Sequence, residues 1–174
     1  MQITCDTSKL EESLKKFHTE AVRKLQGMVQ IFTYKVTFEA IENTPFGDDQ
    51  KYAALYNLKS RLAVLPPEAG AAKGGWTISF NGPTRIIFPD RASDENAENI
   101  KNNADIESQK YKLGDDVYIM NSVRYVASDG WTLPNFKSLE SGYSSQAPFG
   151  IMDPILHAIY GIYRSELNEY YEAS

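Results

Sequence analysis

The chain is poor in the residues on which specific chemistry usually rests. It holds one cysteine and two histidines in 174 residues. The lone thiol, Cys5, allows no internal disulfide and fits a reducing compartment. His18 and His157 stand without a second histidine, a cysteine or a carboxylate at ligand spacing, so no metal site is expected. No apolar run reaches the ~18 residues of a membrane-spanning helix, and none follows a basic start as in a signal peptide. Phosphate-cradling patterns, Gly-x-x-x-x-Gly-Lys and Gly-x-Gly-x-x-Gly, are absent too. Basic residues do not dominate: 18 Lys and Arg stand against 23 Asp and Glu, a net charge of −5 with both signs mixed. That excludes a basic footprint for nucleic acid and a polybasic membrane segment, while an acidic surface that repels nearby DNA fits the composition. The expectation is a protein made and used in the cytoplasm of the producing cell, with no cofactor and no membrane.

Three patterns imitate catalytic motifs. Ser13-Leu14-Lys15-Lys16 matches Ser-x-x-Lys but lies inside an amphipathic helix without its companion motifs. Gly47-Asp48-Asp49 and Gly114-Asp115-Asp116 fall where turn residues are expected anyway. None is assigned chemistry.

What is present begins with a long helix. Ser8 and Glu11 are spaced as a capping box, and Leu10, Leu14, Phe17, Ala21, Leu25, Met28, Phe32 and Val36 recur at steps of four and three. Glu20 and Lys24 form an i,i+4 pair of the favourable orientation, worth about 0.3 kcal/mol. Pro45 ends the helix after roughly 50 Å at ~1.5 Å per residue. Such a length leaves two readings open: a helix curled round its own core, or one that packs on neighbouring subunits. Residues 51–65 carry a short helical pattern that Pro66-Pro67 stops, and 69–75 is a small-residue stretch that reads as a flexible hinge. Residues 76–80 and 85–89 read as strands joined across Asn81-Gly82-Pro83-Thr84, and 117–126 as a further strand with Val117, Ile119, Asn121, Val123 and Tyr125 at period two. The acidic stretch 90–116 reads as a solvated crossing loop, with a contact arm as the alternative. Asp153-Pro154 suits a helix start, Asp153 as N-cap. In that last helix Ile155, Ile159, Ile162, Glu166 and Tyr170 form one line, and Leu156, Tyr160, Tyr163 and Leu167 another. The chain length suits one domain, 1–174, with an insertion at 46–72 and an acidic excursion at 90–116. The fold class is α+β: an antiparallel sheet of three to four strands packed with a long N-terminal helix and a C-terminal helix.

Residues 139–152 combine breakers, Gly142, Ser144, Ser145, Pro148 and Gly150, with apolar anchors, Tyr143, Phe149 and Ile151. In order, Asn121, Tyr125 and Val126, then Leu139, Glu140 and Gly142, then Ser145-Gln146-Ala147-Pro148-Phe149-Gly150 resemble the neck and minor tail-component proteins of long-tailed bacteriophages. Thr44-Pro45 and Ala72-Lys73-Gly74-Gly75-Trp76 match the ends of that family's segment between first helix and first strand. The insertion between them and the missing Thr before Gly70 depart from its pattern. The resemblance implies a non-enzymatic virion component at the head-tail junction, in the virion neck or tail and assembled in the host cytoplasm. It implies a closed ring around the DNA channel, whose partners are further copies and the other neck, connector, tail-terminator and tail-tube proteins. DNA would pass nearby without specific binding. Subunit and partner contacts are expected at Glu140, Tyr143, Gln146, Pro148, Phe149, Tyr160 and Tyr163. Glu140 is more simply a cap for the 142–145 turn than a general base, since no catalytic partner is assignable to it. Two alternatives remain: a small cytoplasmic enzyme or ligand-binding domain with Glu140, Tyr125 and Trp131 at the sheet end, and the equivalent part of a phage-derived injection device.

Overall fold

The computed structural model describes residues 7–47, 69–83, 92–93, 95–121 and 152–172. In order they form helix α1 (Ser8–Glu42), a single helical turn α2 (Ala71–Gly74), strand β1 (Trp76–Phe80), helix α3 (Glu98–Ser108), strand β2 (Val117–Asn121) and helix α4 (Met152–Glu172). The fold is mixed helix and strand: a long N-terminal helix, a C-terminal helix and an antiparallel sheet in which β1 and β2 pair. The strand expected at 85–89, the helix expected at 51–65 and the end of the 117–126 strand lie outside the described residues.

α1 starts at the residue expected, but its cap differs. The N-cap is Thr7, whose backbone already lies in the αR region and whose side chain makes no capping hydrogen bond to the backbone. Its hydroxyl donates instead to the Glu11 carboxylate at 3.0 Å, so the capping box centred on Ser8 is replaced by a side-chain pair one residue earlier. The Glu20 pairing also shifts: its carboxylate takes two hydrogen bonds from Arg23, at 2.6 and 3.1 Å, rather than pairing first with Lys24. The Arg23 bonds hold the Glu20 carboxyl below its ordinary pKa. At the other end Thr44 is fully buried and Pro45 follows, which closes the helix as its sequence predicts.

The core lies against the C-terminal half of α1. Val36, Ala40 and Ile41 pack with Trp76 and Ile78 of β1, Ala97, Ile100 and Ala104 around α3, and Ile155 of α4. Ile78 opposes Ile119 and Phe80 opposes Val117 in the strand register, so one sheet face is apolar except where Asn121 opposes Trp76 at its end. On the other face the Thr77 hydroxyl is buried and has no hydrogen-bond partner among the described residues. A lone buried hydroxyl costs about 1–3 kcal/mol, so Thr77→Val, which keeps the shape, is expected to leave stability unchanged or raise it by about 1 kcal/mol in urea unfolding.

Two expectations are corrected here. Residues 69–75 are no flexible hinge: Ala69, Ala71 and Lys73 are buried, and the Lys73 ammonium donates to the Glu95 carbonyl at 2.8 Å. The stretch is small because it is packed, with Gly70 backing directly onto Ala92. The acidic excursion is likewise no solvated loop, since it contains the 11-residue α3 with Ile100, Lys101, Ala104 and Ser108 buried. Lys101 fastens it to α1: the ammonium pairs with Glu42 and Glu98 and lies 4.6 Å from the Phe38 ring centroid. Burial opposes the charge of Lys101, but hydrogen bonding and attraction from Glu42, with Glu98 behind, raise its pKa above the ordinary 10.5. Beyond α3, Asp115 takes hydrogen bonds from the Asn81 amide at 2.8 Å and the Lys112 backbone at 3.0 Å, tying the end of β1 to the approach of β2.

Candidate functional site

A thirteen-residue stretch of α1, residues 8–20, is exposed at every position. At ~1.5 Å per residue it extends roughly 20 Å. Its apolar stripe is not covered: Leu10 is 60% exposed, Leu14 58% and Phe17 73%. A lone helix of this length is marginal in water, because forming its first turn is costly. Here it continues from a half that is already packed, and local bonds such as Ser13 to the Lys9 carbonyl and Thr19 to the Lys15 carbonyl, both 2.9 Å, lie along it. The arm is therefore held as helix by the body, while its apolar face gains nothing from the body.

α4 divides its two lines of side chains as their spacing implies. Ile155 and Glu166 are buried and Ile159 and Ile162 half-buried against α1, whereas Leu156, Tyr160 and Tyr163 are more than half exposed. Asp153 lies in the first turn of α4 rather than at its N-cap. The Tyr163 ring meets the edge of Phe32 with centroids 6.4 Å apart at 84°, which fixes the ring while part of its surface stays open. Of the residues expected at subunit contacts, Tyr160 and Tyr163 thus share one exposed helix face. Glu140, Tyr143, Gln146, Pro148 and Phe149 lie outside the described residues, as do Tyr125 and Trp131 of the alternative reading.

Between α1, the sheet and α4 runs an apolar groove of about 580 Å³, lined by Met28, Phe32, Val36, Trp76, Val117, Ile119, Ile155, Ile159 and Tyr163 among others. Its carboxylate, Glu166, is paired with the Lys35 ammonium. The pair joins α1 to α4 across 131 positions of sequence, and pattern reasoning missed it because Glu166 sits on an otherwise apolar line with no local partner. With that carboxylate held by Lys35, the described lining of the groove offers mainly apolar contact. Among the described residues no group of three or more His, Cys, Asp or Glu is placed to hold a metal ion. No described helix is long and apolar enough to cross a membrane.

Comparison with protein-family models, with curated proteins and with solved structures finds no match to this chain.

Proposed function

We propose that this chain is a structural protein of a tailed-phage virion, placed at the head-tail junction, where copies assemble into a closed ring that joins the connector to the tail around the DNA channel. What carries the reading, beside the sequence resemblance, is the arm of α1: a built helix with three large apolar side chains facing solvent is a surface made for another protein. The open tyrosine face of α4 supports it, since rings buried with wet hydroxyls are common at subunit contacts. The net charge of −5 suits a wall past which DNA moves without being held. In this reading the sheet has three to four strands, and Glu140, Tyr143, Gln146, Pro148 and Phe149 join Tyr160 and Tyr163 at contacts with further copies and with other neck, connector, tail-terminator and tail-tube proteins. The chain acts without a cofactor and as no enzyme, and it resides in the virion neck or tail after assembly in the host cytoplasm.

Light scattering after size exclusion is expected to give a mass that rises with concentration, with rings carrying a central hole in negative stain. Virions assembled from the genome that encodes the chain are expected to contain it. Its absence from purified virions would sink the reading. The apolar groove favours a second one, a small ligand-binding domain, for which a monomer with saturable binding of an apolar compound is the expected result.

A further inference from the structure

We infer that the arm of α1 docks on the exposed face of α4 in a second copy of this chain, antiparallel, with Leu10, Leu14 and Phe17 of one copy set against Tyr163, Tyr160 and Leu156 of the next. The inference rests on the reading of the chain as a self-assembling ring subunit and names the two surfaces that meet.

Both stripes span eight residues and step by four and three, the spacing at which one helix seats its side chains between those of another. Exposure is matched as well: Leu156 is 57%, Tyr160 69% and Tyr163 51% exposed, close to the values along the arm. Three such side chains leave on the order of 300 Å² open on each stripe, and two stripes with their rims approach the ~1,000 Å² at which a contact becomes specific. Pairing arm with arm would cover one stripe and leave the α4 face in water, and pairing α4 with α4 would leave the arm. Joining the unlike stripes covers both on every copy. It is also the heterologous kind of contact, which closes into a ring when the rotation allows.

The helix dipoles select the direction, since antiparallel docking opposes them favourably and a parallel arrangement aligns like ends.

The test uses the full chain with Cys5→Ser, since Cys5 is its sole cysteine. Leu14→Cys and Tyr160→Cys are made as separate proteins and treated with a short bis-maleimide, alone and mixed. A covalent dimer formed in the mixture and not by either protein alone is the expected result. Phe17→Asp, at a side chain 73% exposed and so outside the core, is expected to weaken self-association by about tenfold or more with an unchanged circular dichroism spectrum. A dimer formed as readily by Leu14→Cys alone would mean arm pairs with arm and overturn the inference, as would a dimer of Tyr160→Cys alone. No mixed dimer at concentrations where rings are seen overturns it too, and leaves the ring reading standing. A mixed dimer from a chain missing in virions does the reverse, sustaining the contact while the junction reading fails.

Discussion

Gly70→Ala is expected to lower the midpoint of thermal unfolding by roughly 5–15 °C, at about 2–4 °C per kcal/mol for a chain of this size. Gly70 has a φ of +80°, and a Cβ built there meets the Ala92 carbonyl oxygen at 2.4 Å and the Phe46 ring at 2.9 Å. The positive φ alone costs an alanine about 1 kcal/mol. The collision with the oxygen costs more, because that atom belongs to backbone that cannot swing aside. Around it three backbone hydrogen bonds converge: the Gly70 amide to the Phe46 carbonyl at 2.6 Å, the Ala92 amide to the Gly70 carbonyl at 3.1 Å and the Gly74 amide to the same carbonyl at 2.8 Å. Relieving the contact must lengthen at least one of them, bringing the total to about 2–4 kcal/mol. Gly114 supplies the control, since its φ is +102° but nothing lies within 4 Å of its Cβ position. Gly114→Ala is expected to cost only what the left-handed backbone imposes, about 1 kcal/mol. If the two variants melted together, the close packing of Gly70 on Ala92 would not be what stabilises this corner.

Thr44→Val is expected to lower the free energy of unfolding in urea by about 1–3 kcal/mol, although it removes no volume. Thr44 is fully buried, donates its hydroxyl to the Ala40 carbonyl at 2.6 Å and accepts the indole N–H of Trp76 at 2.7 Å. Valine keeps the packing and deletes both bonds. The Ala40 carbonyl belongs to the last turn of α1, so its loss is modest. The indole N–H is different: Trp76 is 8% exposed, and an N–H left without an acceptor there bears its full desolvation cost. Thr44→Ser keeps the hydroxyl and loses a methyl, and so is expected to recover most of the deficit. An equal loss in both variants would place the effect in packing and not in the hydrogen bond. The bond joins the end of α1 to the start of β1, two elements that sequence order separates by 32 positions.

How much of this was legible depended on whether the deciding partner lay nearby in the chain. The extent of α1 followed from its periodicity and from Pro45, β1 and the start of β2 from alternation, and the two faces of α4 from the lines through Ile155 and Leu156. The shared face of Tyr160 and Tyr163 came from the same local rule. α3 escaped because its buried face holds a single large apolar residue, Ile100, and is otherwise made of Ala97, Ala104, Ser108 and Lys101, small or charged residues that by composition alone give little apolar signal. The packed turn at 69–75 escaped for a related reason. Glycine and alanine signal freedom when read alone, and close approach when another backbone lies against them.

The sequence by itself determined which residues form helix and strand along α1, β1, β2 and α4, and which face of each is apolar, because those properties repeat within a few residues and need no knowledge of the rest. Only the tertiary structure decided which apolar faces are covered. The stripe of α1 reads alike from Leu10 to Val36, yet Val36 is buried in the core and Leu10 is in solvent, since burial depends on what the body brings alongside. The same holds for Glu166, whose place on an apolar line has meaning only once Lys35 arrives from the other helix.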